Sequence, residues 1–401
     1  MPTDLDGLLD RIEQAATLSS DDAGVRITAT YEPAGGPGSK VFPPTYPFKD
    51  EKYALEERYD QAGELHQTVL IDSFQAQANR CELALLDAID DGLLAFPYLQ
   101  LRGEVPMADG SAVVPIRITS LEAPHRGPDA YFRDSENSDG VEFDKTDVGA
   151  ALRRADARNA RAYFRHVPTD LIFGFWDSQR GGRGVKLARA YTSEIWGWNP
   201  KVGRRGAGRL DPMNIEKARI AFPDKKPGEF VVLGDGPVPK GMKEKAPSNA
   251  GHGNAITSDG ANPGVAVTGI ERSAFISAAA LERLRFPNDD ARDPRADSAA
   301  RAVLFALALA GDRLAFDRPS VWLRSGCELV VTTSRLAWLR RGGEHDEFTL
   351  SPAEAIKLVS RAVERASAAG ISWAAEPVTL RPKQNLLDLM AQTFAEPPEE
   401  A

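Results

Sequence analysis

The pattern of hydrophobic and polar residues is clearest around residues 68–89. Residues 68–72 form a short apolar run that is typical of a buried strand. The residues that follow carry an apolar stripe at helical spacing, formed by Phe74, Ala78, Cys81, Leu85 and Ile89. Ser73 stands between the two patterns and is a suitable helix N-cap. We therefore predict a strand that leads into a capped helix, with the apolar stripe of the helix packed on a sheet.

The polar residues of this helix allow two interpretations. They fall on two flanks of the stripe: Ser73, Gln77 and Arg80 on one, and Gln75, Asn79 and Glu82 on the other. A helix N-terminus directs free backbone N–H groups and the positive end of its dipole at whatever lies there, which suits a phosphate group. The same residues also suit an ordinary capped helix that binds nothing.

Similar patterns predict the other elements of the chain. Helical spacing indicates helices at residues 4–18, 148–165, 274–284, 298–310 and 352–369. Apolar or alternating runs indicate strands at residues 25–31, 98–105, 113–118, 171–176, 187–198, 230–233, 265–270 and 320–332. Two stretches lack a clear period, a long loop at residues 32–67 and a second stretch at residues 199–264. The second is long enough to be either disordered or a functional loop, and we interpret it as an insertion.

Charge is distributed unevenly along the chain. The whole protein has a net charge of −9, yet residues 151–210 contain thirteen Lys and Arg against four acids, a local charge of +9. Such asymmetry is typical of a protein with one face that binds a polyanion, although a solvated basic face without a ligand would look the same. Five aromatic residues lie in this basic window, Phe173, Phe175, Trp176, Trp196 and Trp198.

Cations together with aromatic rings favour single-stranded RNA as the ligand. RNA strands are held by a basic groove along the backbone and by aromatic surfaces under the bases. Because Phe173, Phe175 and Trp196 occupy alternating positions, these three residues also suit the protein core.

Composition and terminal sequence exclude several classes of protein. The two cysteines, Cys81 and Cys327, allow neither a disulfide framework nor a Cys-based zinc site, and they suit a reducing cytosol. The longest apolar run, residues 299–310, is too short for a membrane span. The N-terminus is acidic and amphipathic, unlike a signal peptide. We therefore predict a cytoplasmic protein that does not associate with a membrane.

No arrangement of residues indicates a catalytic, metal or cofactor site. The five histidines are scattered, and no metalloprotease, hydrolase, kinase or dinucleotide motif is complete. His125 beside Arg126 suits a general acid or base, but a loop histidine more often hydrogen-bonds or stacks. Asp134, Asp139 and Asp144 suit Mg²⁺, but an acidic loop is more often solvated. We therefore predict no catalytic residues, no metal and no cofactor.

Residues 72–82, with the sequence DSFQAQANRCE, resemble the signature (E/D)S-x-Q-x-x-ANR-x-E of one protein family. This family is the backbone subunit of type I-G (formerly I-U) CRISPR surveillance (Cascade) complexes, a branch of the RAMP superfamily. Further segments match in the same order: LEAPHR at 121–126, DLIFGFWDS at 170–178 with its Gly-rich sequel, SEI at 193–195 and LERLRF at 281–286. The resemblance spans roughly residues 25–380.

The resemblance implies an α+β fold. Its centre would be an RRM/ferredoxin-like palm, an antiparallel sheet with helices on one face, that carries web-like and thumb-like insertions. We place the palm at residues 23–122, 170–198 and 266–380, the web-like insertion at 123–169, the thumb-like insertion at 199–265 and a C-terminal tail at 381–401.

The resemblance also implies a structural function without catalysis. Copies of the protein would assemble head to tail along the spacer of a CRISPR guide RNA and present its bases for pairing with target DNA. A handle-binding and processing subunit and a large subunit would complete the complex. The residues predicted to bind RNA are Ser73, Gln75, Gln77, Asn79, Arg80, His125, Arg126, Arg180, Arg183, Lys186, Arg189, Lys201, Arg204, Arg205 and Arg209.

Two other functions remain open from the sequence. The first is a metal-dependent RNase of the RAMP type that cuts target RNA with a loop aspartate, for which the acidic residues 134–147 are the candidates. The second is a soluble enzyme of unrelated fold that acts on a small anionic substrate at the basic window.

Overall fold

The computed structural model describes residues 3–17, 20–47, 52–107, 112–178, 184–204, 207–223, 229–257, 263–288 and 291–395. The helices within these ranges are α1 (Leu5–Ala15), α2 (Phe74–Asp90), α3 (Ala130–Arg133), α4 (Asp147–Arg154), α5 (Arg161–His166), α6 (Pro168–Phe173), α7 (Ala278–Glu282), α8 (Pro294–Phe316), α9 (Pro352–Ala368) and α10 (Gln384–Ala395). None of these helices combines the length and the apolar character that a membrane span requires.

The strands in the described ranges are β1 (Asp22–Pro33), β2 (Leu55–Tyr59), β3 (Leu65–Asp72), β4 (Leu99–Pro106), β5 (Val113–Thr119), β6 (Ser135–Glu136), β7 (Phe175–Asp177), β8 (Val185–Leu187), β9 (Tyr191–Trp198), β10 (Lys201–Val202), β11 (Ala207–Arg209), β12 (Arg219–Pro223), β13 (Val231–Leu233), β14 (Met242–Lys245), β15 (Ala255–Thr257), β16 (Val265–Ala266), β17 (Gly269–Ser277), β18 (Ser320–Arg324), β19 (Cys327–Arg340), β20 (His345–Phe348) and β21 (Val378–Pro382).

An antiparallel sheet of eight strands forms the centre of the fold. Seven strands lie in the order β18-β19-β1-β17-β9-β3-β2, and β20 pairs with β19. Its four middle strands occur along the chain in the order β1, β9, β17 and β19. Helix α2 lies between the first and second of them, and α8 lies between the third and fourth. Their spatial order is fourth, first, third, second, which is the βαββαβ arrangement of RRM and ferredoxin-like folds. The predicted α+β class with an RRM-like palm is confirmed.

The long helix α8 lies at the middle of the core. Nearly all of its residues are buried, and it contacts α1, α2 and α9 as well as β17. Strand β9 alternates buried and half-buried residues, so that one of its faces lies against the core. Because α2 contacts both α8 and β9, its position is fixed from two sides.

A second sheet has the order β5-β4-β21-β6 and includes one parallel pair, β4 with β21. Strand β5 contains Pro115 and lies at the edge of this sheet, where a residue without a backbone N–H is tolerated. Helix α10 follows β21 and contacts β4. Residues 381–395 were predicted to be part of a tail. Instead they include the end of strand β21 and helix α10, which contacts this sheet. Residues 396–401 lie outside the described ranges.

Two predicted elements have a different secondary structure. The first half of the strand predicted at residues 171–176 belongs to helix α6, which is capped by Gly174 at a φ of 76°, and residues 175–176 belong to strand β7. A short apolar run does not distinguish a buried strand from a buried helix. The helix predicted at residues 148–165 is the pair α4 and α5. Between them, Asp156 Oδ1 accepts hydrogen bonds from the N–H groups of Arg158 and Asn159 at 2.8 and 3.1 Å, which forms a turn.

Element boundaries differ elsewhere because the strands are longer than their patterns suggest. The helix predicted at residues 274–284 begins only at Ala278, since β17 continues to Ser277. The strand predicted at 320–332 is the hairpin of β18 and β19, with Gly326 at a φ of 74° in its turn. The loop predicted at 32–67 includes β2 and the start of β3.

In residues 199–264 the strand predicted at 230–233 is β13, and the range contains further local structure that its sequence pattern does not show. Strand β12 is the middle strand of a small sheet with the order β13-β12-β14, and its residues Ile220, Ala221 and Phe222 are buried. The assignment of residues 123–169 as web-like and 199–265 as thumb-like stays a prediction.

Candidate nucleic-acid interface

The start of α2 is built as its sequence predicts. Ser73 is the N-cap, and its Oγ accepts a hydrogen bond from the N–H of Ala76 at 3.3 Å. The stripe residues Ala78, Cys81 and Leu85 are completely buried. Gln75 and Asn79 are exposed, so their amide groups are accessible to a ligand.

Arg80 is held by a buried carboxylate. Asp72, at the end of β3, is completely buried and accepts a hydrogen bond from Arg80 Nε at 2.8 Å. Arg80 Nη2 also donates to the carbonyl of Leu323 on β18 at 3.1 Å. This side chain thus joins α2 to two strands of the sheet. Contact between Arg80 and RNA stays a prediction, and only the exposed part of its guanidinium is accessible.

Gln77 lies inside the core and corrects a prediction. Its Nε2 donates to Asp72 Oδ2 at 2.5 Å, and its Oε1 accepts from Ser193 Oγ at 2.8 Å and from Arg272 Nε at 2.9 Å. Because Gln77 is completely buried, it has no surface for an RNA contact. Its role in this structure is to connect α2 to strands β9 and β17.

The same network continues to a buried ion pair. Arg272 pairs with Asp312 on α8, and Tyr191 Oη donates to Asp312 Oδ2 at 2.7 Å. Arg313 Nη2 donates to the other oxygen of Asp312 at 2.9 Å. Burial disfavours the charged carboxylate, but Arg272 and Arg313 outweigh this effect and lower the pKa of Asp312 to about 2. The carboxylate is therefore ionised at neutral pH.

On the other flank of α2, Arg126 binds Glu82. Arg126 Nε and Nη2 lie 2.6 and 2.7 Å from the two carboxylate oxygens, and its Nη1 donates to the carbonyl of Gly174 at 3.0 Å. The N–H of Gly127 donates to the buried Asp170 Oδ2 at 3.0 Å. The motifs at residues 72–82, 121–126 and 170–178 therefore meet at one place and hold one another in position.

Burial changes the protonation of this cluster. It raises the pKa of Glu82 to about 7, although Arg126 opposes the shift. It also raises the pKa of Asp170 well above its ordinary value. Burial and repulsion from Arg126 lower the pKa of Arg189, and Arg189 Nε is buried without a hydrogen-bond partner. Because Arg189 Nε has no hydrogen-bond partner among the described residues, an anion bound beside it would stabilise the charged form of the guanidinium group.

We expect the substitution Glu82→Gln to remove a pH dependence of stability. Because the pKa of Glu82 is higher in the folded protein, about 7, than its ordinary value of 4.5, this group stabilises the fold below pH 4.5. That stabilisation is lost as the pH rises through 7, and the loss is about 3 kcal/mol. Urea unfolding of wild type and variant at pH 4.5 and 8 measures it. If the free energies of unfolding of wild type and variant differ by the same amount at both pH values, Arg126 keeps Glu82 ionised throughout.

The other basic candidates lie on the surface or outside the described ranges. Lys186, Lys201, Arg204 and Arg209 are exposed. His125 is exposed as well, and its N–H donates to Asp129 Oδ2 at 2.9 Å. The candidates outside the described ranges are Arg180, Arg183 and Arg205.

The loop around Phe42 links the basic segment at residues 201–204 to the end of β3, after which α2 begins. Strand β10, with Lys201, pairs with β16, which also bridges to Val41. Lys40 Nζ donates to the carbonyl of Arg204 at 3.3 Å. Arg324 donates to the carbonyls of Phe42 and Ile71 at 3.4 and 3.2 Å. Residues 201–204 and the end of β3 are therefore neighbours across this loop.

Two of the five candidate aromatic residues belong to the core. Phe173 and Phe175 are buried, and Phe175 stacks on Tyr163 with 4.5 Å between ring centroids. Trp196 packs under the guanidinium of Arg58, 4.6 Å from its ring centroid. Trp176 on β7 is 64 % exposed and lies opposite Lys186 on β8. Trp176 is therefore the most exposed stacking candidate of the basic window, while Trp196 and Trp198 on β9 are half-buried and line an open cavity.

Three residues of this region were missed by the sequence analysis. Lys40 and Arg324 take part in the contacts around Phe42, and Trp322 is 64 % exposed beside Arg80, whose Nη1 lies 3.4 Å from its carbonyl oxygen. They are far from residues 72–82 in sequence, and no local pattern marks them.

Residues 25–202 match the model of the family described as CRISPR-associated protein GSU0053 (Cas_GSU0053). Over this range the protein is thus similar to a CRISPR-associated family. The matched range includes the motifs at 72–82, 121–126, 170–178 and 193–195, so the predicted recognition is confirmed at this level. No curated protein matches the chain. The assignment to type I-G stays a prediction.

Within the described ranges, no group of three or more His, Cys, Asp and Glu side chains is placed to hold a metal ion. Of the acidic candidates, Asp134 pairs with Arg133 at 3.1 Å and Asp144 pairs with Arg153 at 2.6 Å. Both carboxylates thus have cationic partners already.

Proposed function

We propose that this protein is the backbone subunit of a type I-G CRISPR surveillance complex and binds the guide RNA. The observation that carries the proposal is the exposure of Gln75 and Asn79 near the start of α2. The strand end before this helix is linked to the basic segment 201–204 through the loop around Phe42. Amide groups that donate hydrogen bonds, next to exposed cations, suit the phosphates and sugars of an RNA strand. The match to a CRISPR-associated family supports an RNA ligand.

Buried ion pairs position this interface. Asp72 fixes Arg80, and Glu82 fixes Arg126, on the two flanks of the helix. The exposed Lys186, Lys201, Arg204 and Arg209 neutralise phosphates without reading the sequence. Such a surface holds a guide of any sequence, and base pairing then selects the target DNA.

In this proposal the protein acts with partners in the cytoplasm. Further copies bind head to tail along the spacer, and the resulting filament is limited by a handle-binding subunit and a large subunit. The protein has no catalytic residue, metal or cofactor of its own.

Replacing Gln75 and Asn79 together with Ala should weaken guide RNA binding at least tenfold. Hydrogen bonds to charged groups contribute about 1.5–3 kcal/mol each, so two lost contacts exceed a factor of ten. Arg80 is left unchanged, because its removal would take a cationic partner from the buried carboxylate of Asp72. The matched control is Gln384→Ala/Asn385→Ala, the same two residue types exposed on α10. Equal affinities of both variants in a filter-binding assay would contradict the proposed site.

The RNase alternative makes a different prediction. The purified protein should leave RNA and DNA intact with or without Mg²⁺. Metal-dependent cutting that is lost on substitution of Asp134 or Asp139 would replace the scaffold proposal. An enzyme acting on a small anionic substrate would purify without RNA. The ratio of the ultraviolet absorbance of nucleic acid to that of protein in the purified sample tests this.

A further inference from the structure

A second basic groove lies at the start of α8, where the motif at 281–286 meets the loop before α5. It is an open cavity of about 670 Å³. Its lining includes four arginines and one carboxylate: Arg158, Arg283, Arg285, Arg292 and Asp297. The two segments are joined by backbone hydrogen bonds, from Arg285 N to Ala157 O at 2.9 Å and from Ala160 N to Arg285 O at 2.8 Å. The arginines are therefore carried by a fixed backbone.

The single carboxylate of this lining does not balance the cations. Asp297 is buried, and its Oδ1 accepts from the N–H of Phe286 at 2.7 Å. Its Oδ2 has no hydrogen-bond partner and lies 3.7, 3.9 and 3.5 Å from Arg285, Arg292 and Arg301. Three guanidinium groups thus share one carboxylate at distances longer than a hydrogen bond.

Two further arginines of the groove have no carboxylate partner within the described ranges. Arg158 and Arg283 are exposed, and neither forms an ion pair with another described residue. Burial lowers the pKa of Arg301 to about 10, and the positive charges of Arg285 and Arg292 add to this effect against the attraction of Asp297. The groove therefore has a surplus of positive charge and planar guanidinium donors, which match the oxygens of phosphate groups.

We propose that this groove binds the phosphates of a nucleic-acid strand at a second site, separate from the interface at α2. Asp312, which belongs to the network beneath α2, lies fifteen residues after Asp297 on the same helix, a distance of about 22 Å. The choice of a nucleic acid over an acidic protein segment rests on the proposed function, since that function already supplies a strand. The motif at 281–286, which the α2 interface does not use, provides Arg283 and Arg285.

The test is the variant Arg158→Ala/Arg283→Ala in the full-length protein. Both side chains lack ionic partners among the described residues, so thermal unfolding should not change. Binding of a fluorescent single-stranded RNA of random sequence is measured at several salt concentrations. If each arginine contacts one phosphate, the slope of log affinity against log salt falls by about 1.4. The matched control, Arg335→Ala/Lys357→Ala, removes two exposed cations on other elements and should keep the wild-type slope.

Two arms identify which strand occupies the groove. In the first, the free protein binds guide RNA, and in the second, protein already loaded with guide binds target DNA. A reduced slope in either arm supports the proposal and names the strand. An unchanged slope in both arms overturns it, and a simultaneous change in self-association would identify an acidic surface of a second copy as the occupant.

Two comparisons keep this proposal separate from the proposed function. A variant Lys201→Ala/Arg204→Ala tests the interface at α2 in the same assays. If only that variant loses affinity, the groove proposal fails and the proposed function stands, and the reverse result rejects the α2 interface alone. Asp289 and Asp290, outside the described ranges, add carboxylates to the segment before α8. Asp289→Asn/Asp290→Asn should therefore not weaken binding, and weaker binding would count against the arginines.

Discussion

Asp312→Ala lowers the free energy of unfolding by about 3–5 kcal/mol. The side chains of Asp312 and Arg272 are both almost inaccessible to solvent, and they pair with each other beneath α2. Removal of the carboxylate leaves the charge of Arg272 buried without its anionic partner and takes the acceptor from Tyr191 Oη. Urea unfolding followed by circular dichroism at pH 7 measures the change.

Two controls separate the buried charge from a general effect of substitution. Arg341→Ala removes an ion pair with Asp21 that is largely exposed, and should cost less than about 1 kcal/mol. Arg272→Met/Asp312→Leu removes both charges of the pair and should recover part of the lost stability, since Arg313, the other partner of Asp312, still pairs with Asp317 at 3.3 Å. A loss below 1 kcal/mol for Asp312→Ala would show that water or a rearranged side chain solvates Arg272.

The same pair predicts a dependence on acid. Burial opposes ionisation of Asp312, yet its arginine partners lower its pKa from 3.8 to about 2. The stabilisation by this carboxylate is therefore complete above pH 3.8 and is lost as the pH falls through 2. The difference in stability between wild type and Asp312→Ala should shrink by about 2 kcal/mol over this range.

Replacing five cations of the basic window with Ala flattens the salt dependence of guide RNA binding by about 3 to 4 units of the log–log slope. The five are Arg183, Lys186, Arg204, Arg205 and Arg209. Each cation that neutralises a phosphate of single-stranded RNA contributes about 0.7 to the slope. Of these residues, Lys186, Arg204 and Arg209 are described and exposed, so their loss should not disturb the core. Binding at several salt concentrations measures the slope.

The control for this variant removes the same number of cations elsewhere: Arg335, Arg341, Lys357, Arg361 and Arg365. It lowers the net charge equally and should retain most of the slope. The loss in the basic window should also be independent of spacer sequence, because phosphate contacts do not read bases. An unchanged slope would mean that this window is a solvated face or a protein contact.

The sequence predicts α2 and its cap because both depend on local geometry. Ser73 can cap only the helix that begins next to it, and the stripe of Ala78, Cys81 and Leu85 follows the helical period. The order of the motifs likewise indicated a resemblance to CRISPR-associated proteins, and a family of that description matches residues 25–202. Alternation indicated core positions for Phe173, Phe175 and Trp196. Phe173 and Phe175 are buried, although Phe173 lies on helix α6, whereas Trp196 is only half-buried.

The roles of the polar residues on α2 were decided by the tertiary structure. From the sequence, Gln77 and Asn79 are two equivalent amides near a helix start, yet one binds Asp72 and Arg272 in the core and the other faces solvent. Arg126 forms an ion pair with Glu82, which lies 44 positions away in the chain. A local pattern records which face of a helix is apolar, but not which distant strand or loop covers its polar flanks. Those contacts depend on how the sheet and loops close around the helix, so only the folded chain separates the residues that hold the interface from those that can touch a ligand.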